Sequence, residues 1–305
     1  MSKFKSWKTA SLLALLALSL GGCHATSTSN NNASQTSQSN PPTSQSQAPT
    51  SQKQNLKNPF ANQYQQTYHQ LAQQNYQSGA NPIVQVNQGK STLNIKDWQS
   101  NHVKYSQLDR LNRPSNPATA YLESRNVAND QLRTQQTVKP TGWHQKKNAQ
   151  GQMIINRGHI IAYSLSKGIT LNGNYDPQQQ SGDQNNLRNL FTQTAFCNQE
   201  LQTIYESKVR DALKQGAKVI YQVVPIFQGN DLMAKGVWLQ AVGTNGLNFN
   251  VYLYNVQPGF KFNYQTGQSQ VDPAMQVPTP PNAPHFNDNH QSTMHHHRHH
   301  DYQTF

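Results

Sequence analysis

The 305-residue chain carries 25 Lys and Arg against 13 Asp and Glu, a formal charge of +12. That balance favours a polyanionic partner (nucleic acid, teichoic acid or anionic lipid) without choosing among them. Its two cysteines imply no disulfide framework, and if Cys23 carries lipid, Cys197 has no partner.

At the N-terminus, Lys3, Lys5 and Lys8 precede the apolar run TASLLALLALSL, Thr9 to Leu20. The run is too short to span a bilayer comfortably and has the form of an export signal. It closes on LGGC, which fits a bacterial lipoprotein cleavage site: Gly21 and Gly22 are small enough to admit the peptidase, and Cys23 becomes the lipidated first residue. The competing reading is an ordinary secretory signal with an incidental cysteine. The sequence therefore divides into a signal peptide (1–22), a low-complexity tether (23–81), a folded domain (82–272) and a Pro- and His-rich disordered tail (273–305). Lipidation would hold the protein at the extracellular face of the cytoplasmic membrane. From Ala25 to about Gln54 the residues are almost all Ser, Gln, Asn, Thr and Pro, which bury too little apolar area to offset chain entropy. Some fifty such residues would have a reach of about 40 Å.

From Pro82 the pattern becomes periodic. NPIVQVNQGKSTLNI predicts a hairpin around NQGK, and GQMIINRGHIIA predicts a strand leading into NRGH. A polar loop from Lys167 to Asn186 follows. TAFCNQELQTIYESKVRDALKQG, Thr194 to Gly216, predicts the best helix, with Leu201, Ile204, Tyr205, Val209, Ala212 and Leu213 as its apolar stripe and Gly216 as its stop. Asn198, Gln199, Gln202, Glu206 and Arg210 occupy the adjoining sector as a polar strip. Cys197 reads as a small buried apolar residue rather than a nucleophile. Strands VIYQVVPIF, VWLQAVG and LNFNVYLYNV come next, the last two joined by Asn245-Gly246, a hairpin turn. Strands, a helix, then strands predict an α+β fold on an antiparallel sheet. The histidines His295, His296, His297, His299 and His300 form a tract able to capture Zn²⁺ or Ni²⁺.

Three ordered motifs, NRGH (Asn156 to His159), RNLFTQTAFCNQ (Arg188 to Gln199) and YESKVR (Tyr205 to Arg210), resemble the DNA/RNA non-specific endonucleases with a ββα-metal active site. The likeness is strongest to the DNA-entry nucleases of competent bacteria. It covers roughly Pro82 to Asp272, including YSQLDRLNRP and KPTGWHQ. It implies that His159 is the general base, a role suited to an imidazole that is mostly neutral yet basic near pH 7. It also implies that Asn198 is the ligand of Mg²⁺, with Mn²⁺ as the alternative ion. Mg²⁺ takes oxygen ligands and keeps waters, so one amide oxygen with phosphate oxygens and waters completes its shell.

By the same resemblance Glu206 is the helix glutamate that orients a metal-bound water or a neighbour. Arg157 meets the phosphate with its planar donor fork, unless it serves a structural ion pair. Asn189, Gln193 and Gln199 match further polar positions and are assigned to substrate binding or to orienting the site. Lys139, Lys146 and Lys147 are candidate contacts to the phosphate backbone, and solvated surface lysines are an equal reading. One departure stands out: many members have Asp where this chain has Asn156, and an amide replaces hydrogen bonds but not a charge. The function implied is a membrane-tethered, Mg²⁺-dependent endonuclease that hydrolyses DNA, and RNA as a second substrate, leaving 5′-phosphate ends. The competing function is a non-catalytic lipoprotein that keeps the fold and tethers extracellular DNA.

Overall fold

Every strand of the main sheet runs antiparallel to its neighbours, and the alternation of side chains along the strands gives the sheet two buried faces. A computed structural model describes residues 59–128, 135–182 and 185–284. The signal segment, Cys23, most of the tether and the histidine tract lie outside the described residues.

The strands are β1 (Ile83–Gln85), β2 (His102–Lys104), β3 (Ala118–Leu122), β4 (Ile155–His159), β5 (Leu190–Thr194), β6 (Val219–Ile226), β7 (Gly236–Gly243), β8 (Asn248–Tyr254), β9 (Phe260–Asn263) and β10 (Gln268–Val271). Six of them form the main sheet in the order β1-β8-β7-β6-β3-β2, while β4 pairs with β5 and β9 with β10 in two separate ribbons. Helices α1 (Pro59–Ala72) and α2 (Thr203–Lys214) flank them. The architecture is α+β, as the element order predicts.

On the front face, Ala120, Leu122, Val219, Tyr221, Val223, Val237, Leu239, Val251 and Leu253 pack against Leu201, Val209 and Leu213 of the helical segment and against Phe191 of β5. The intervening residues Val224, Ile226, Trp238 and Tyr252 point backwards and meet Leu71 and Ala72 of α1, with Tyr64 and Tyr68 closing over them. This is the period-2 rule of a strand acting on both sides of one sheet. Each aliphatic side chain fully buried in this way contributes about 1.5–3 kcal/mol.

The Asn245-Gly246 turn joins β7 and β8 as expected, with Gly246 at φ 90. Past α2, Gly216 takes φ 84 and donates its N–H to Leu213 O, while Ala217 N–H reaches Ala212 O. These two bonds satisfy carbonyls that the helix end leaves open.

Four expectations change. Residues Ile83 to Ile95 do not form a hairpin: β1 pairs with β8, Ile83 opposite Leu253. Asn87, Gln88 and Gly89 all take positive φ, and the returning segment is held by side chains, Ser91 N–H on Asn248 Oδ1 at 2.8 Å and Thr92 N–H on Gln240 Oε1 at 2.9 Å. NRGH lies on β4 itself rather than beyond it. The predicted single helix is interrupted by a π-helical stretch, Cys197–Gln202, ahead of α2. Finally, the folded unit extends past both assigned boundaries. Helix α1 sits inside the segment read as tether, and within the segment read as tail Ala283 is buried and Gln276 exchanges bonds with Ser78 and Gly79.

Candidate active site

Strands β4 and β5 carry the NRGH motif and the start of RNLFTQTAFCNQ in register, Asn156 opposite Gln193, Arg157 opposite Thr192 and His159 opposite Leu190. The chain then enters the helical segment, which doubles back along the ribbon. Gln202 reaches the far end and donates from Nε2 to the His159 carbonyl at 2.8 Å. The same nitrogen donates to Glu206 Oε1 at 2.7 Å, and Gln193 Nε2 donates to Gln202 Oε1 at 2.9 Å. One buried network thus ties the end of β4, the middle of β5 and α2 together.

The glycine of the motif has a steric cause. A Cβ on Gly158 would stand 2.0 Å from Gln193 Oε1 and 2.6 Å from Gln193 Cβ, so any other residue would push Gln193 out of the network. Strand alternation puts Asn156 on the Gln193 side of the ribbon, away from Arg157. An amide in place of a carboxylate there costs the Arg157 side no negative charge.

Arg157 is held in place from two directions. Its Nε donates to Val138 O at 2.5 Å, and its guanidinium stacks over the Trp143 ring at 4.6 Å. Its two terminal nitrogens make no hydrogen bond among the described residues. His159 is half-buried at the end of β4, with Gln136 Nε2 at 3.5 Å from its Nε2 and 3.4 Å from Arg157 O. Asn198 and Gln199 are half-buried on the π-helical stretch, and the Asn198 carboxamide makes no hydrogen bond among the described residues. Glu206 is 9% exposed. Arg210, further along the strip, donates to Ser164 Oγ at 2.9 Å and to Ser207 Oγ at 2.5 Å.

Several assigned residues work from beneath the surface. Asn189 is fully buried and clasps Ile161, accepting from its N–H at 2.8 Å and donating to its carbonyl at 3.1 Å. Gln193 is fully buried as well. Neither is placed to touch a substrate, which corrects their assignment as binding residues: they shape the ribbon. Lys146 is half-buried, with Nζ on Ser269 O at 3.3 Å and over the Phe260 ring at 5.9 Å. Lys139 and Lys147 remain exposed. Cys197 is completely buried, and burial pushes its thiol up to about 12, far from nucleophilic use.

Gln136, Trp143 and Gln202 join the site without having been assigned roles in it. Trp143 lies inside KPTGWHQ, and Gln202 stands four residues before Glu206, the spacing of neighbours on one helix face. For Gln136, no local pattern distinguishes it from the polar residues around it.

The arrangement has counterparts among known proteins. The structure of NucA from Streptococcus agalactiae with a magnesium ion bound is similar at a TM-score of 0.57 and 29% identity, over 69% of this chain and 98% of that one. The metal-free structure of the same NucA gives 0.54 and 28%, over 69% and 97%. A family model described as DNA/RNA non-specific endonuclease matches residues 92–244. That span contains the β4–β5 ribbon, the π-helical stretch and α2 with its Gln202–Glu206 network, and by this match the chain belongs to the DNA/RNA non-specific endonuclease family.

Proposed function

We propose that this protein is a Mg²⁺-dependent endonuclease that cuts DNA, and RNA as a second substrate, without regard to sequence. The observation that carries the reading is the Gln202 node, which straps the His159 end of β4 to the helix bearing Asn198 and Glu206. His159 takes a proton from the attacking water at its imidazole. The water oxygen bonds to phosphorus and the bond from phosphorus to the 3′ oxygen breaks. A 5′-phosphate and a 3′-hydroxyl result once the departing oxygen gains a proton from solvent. Arg157, fixed by Val138 and Trp143, offers its terminal nitrogens to a phosphate oxygen.

The donor set fits a hard cation. It offers an amide oxygen free of other bonds on Asn198 and a carboxylate further along the same helix. Among the described residues no cluster of three or more His, Cys, Asp or Glu is found, so the protein would supply few ligands to such an ion, with waters and phosphate oxygens supplying the rest. Asn198 would hold Mg²⁺, or Mn²⁺ in its place, and Glu206 would order the waters around it. Bound there, the ion supplies positive charge to the phosphate oxygens as negative charge develops on them. The magnesium-bound NucA relative supports this choice. Gln199, half-buried one residue after Asn198, is kept as a substrate contact, and exposed Lys139 and Lys147 meet the phosphate backbone. Such contacts carry no sequence information, which accounts for breadth of cleavage.

Incubation of supercoiled plasmid with the protein and Mg²⁺ is expected to give open-circular, then linear and shorter products bearing ligatable 5′-phosphates, and EDTA is expected to stop the reaction. A wild-type protein that shifts the plasmid on a gel but never cuts it would instead establish the DNA-tethering lipoprotein. The N-terminal LGGC motif places the enzyme outside the cytoplasmic membrane on a lipid at Cys23, with the low-complexity tether ending ahead of α1. Cys23→Ser is then expected to stall processing or to release the nuclease from the membrane fraction. Equal membrane retention of the cleaved variant would remove the anchor from this account.

A further inference from the structure

We infer that Gln202 is a positioning residue of the nuclease, setting the mutual placement of His159 and Glu206; the inference rests on the function proposed above. Its side chain is 0% exposed, so it meets no substrate, and yet every polar contact it makes is with the site. A primary amide has two N–H donors and one acceptor oxygen. Both donors are spent, on the His159 carbonyl at 2.8 Å and the Glu206 carboxylate at 2.7 Å, and the oxygen accepts from Gln193 at 2.9 Å. The two acceptors leave only one sense for the amide, nitrogen toward the site.

No other common side chain satisfies this position. A glutamate would turn a carboxylate against both a carbonyl and a second carboxylate. Leucine or methionine would fill the space and leave the His159 carbonyl and Glu206 without their donor. Asparagine is one methylene short of spanning two partners on different elements. The setting supports a functional reading of the node: Gln202 is the last residue of the π-helical stretch that carries Asn198, and such stretches concentrate at functional sites. Breaking the node frees the end of β4 to move relative to α2 while leaving the apolar packing of Leu201, Tyr205 and Val209 intact. A displacement of about 1 Å between reacting groups is enough to cost about 10²-fold in rate.

The test is a double-mutant cycle on the full chain with plasmid DNA and Mg²⁺, using Gln202→Met, Glu206→Gln and the double variant. Each is measured for kcat, KM and thermal midpoint, with His159→Gly as a control. Gln202→Met is expected to lower kcat by about 10- to 100-fold with KM changed by less than about threefold. The double variant is expected to be no slower than the worse single one, since the two residues act as one unit. A Gln202→Met protein with a lowered thermal midpoint but wild-type kcat at 25 °C would make the residue purely structural and overturn the inference, as would losses that multiply in the double variant. If Gln202→Met does not fold, Gln202→Asn decides: a folded variant with reduced kcat upholds the node, and one with full kcat ends it. A wild-type protein that binds the plasmid without cutting it would instead overturn the proposed function, and an active His159→Gly control would remove His159 from the node's purpose.

Discussion

Replacing His159 by glycine is expected to yield a folded protein that cuts plasmid DNA about 10²–10⁴-fold more slowly than wild type, the range of a general base. The residue is half-buried at the end of β4, and the core beside it is built by Ile160 and Ile161, both fully buried. Truncation therefore opens no hole in that core, and a glycine within a strand costs only about 0.5–1 kcal/mol. The rate loss corresponds to roughly 3–5 kcal/mol of transition-state stabilisation, so the two effects separate cleanly. Unchanged circular dichroism with lost turnover assigns the proton transfer to His159. Full activity in a folded variant would take it out of the mechanism.

Asn198→Ala is expected to abolish the response to Mg²⁺ at the concentrations that saturate wild type and to lower the residual rate by more than about 10²-fold. Even residues that only support a metal ligand cost about 10–100-fold when removed, and a direct ligand costs at least that. The helix is not at risk, because alanine is a better helix former than asparagine by a few tenths of a kcal/mol. Initial rates across a Mg²⁺ titration, together with Mn²⁺ binding followed by its paramagnetic resonance, give two independent readouts. A variant whose rate and metal dependence match wild type would move the ion elsewhere.

The parts of this fold that were legible in the sequence are those decided by neighbours along the chain. Asn245-Gly246 makes its own turn, Gly216 its own helix stop, and the strands around them carry their apolar pattern openly. What was not legible depended on distant partners. Helix α1 reads as PFANQYQQTYHQLA, a Gln-rich run whose buried side consists of two tyrosines, a leucine and an alanine. It is a helix because Trp238 and Tyr252 supply an aromatic floor for it, Tyr64 stacking on Trp238 with ring centroids 5.4 Å apart. Likewise, the segment after β1 resembles a returning strand by its alternation, and only the amides of Gln240 and Asn248 explain why it need not be one. In the site, the family resemblance is what names His159, Arg157, Asn198 and Glu206 as candidates. Gln202 falls on the polar strip beside them, but its part in the network does not show in the sequence, because it follows from a bond to a residue 43 positions earlier.

The placement of β1 also bears on how the domain comes into being. Its partner is β8, with Ile83 opposite Leu253, and α1 rests on Trp238 and Tyr252. The earliest parts of the domain to leave a ribosome or a secretion channel therefore have nothing to pair with until almost the last of the sheet has followed. Contacts this remote in sequence are slow to close, and a chain threaded N-terminus first remains open, without its edge strand or its rear helix seated, for nearly the whole of its passage. Such a topology delays the native state until nearly all of the sheet has emerged, which is compatible with the export proposed above.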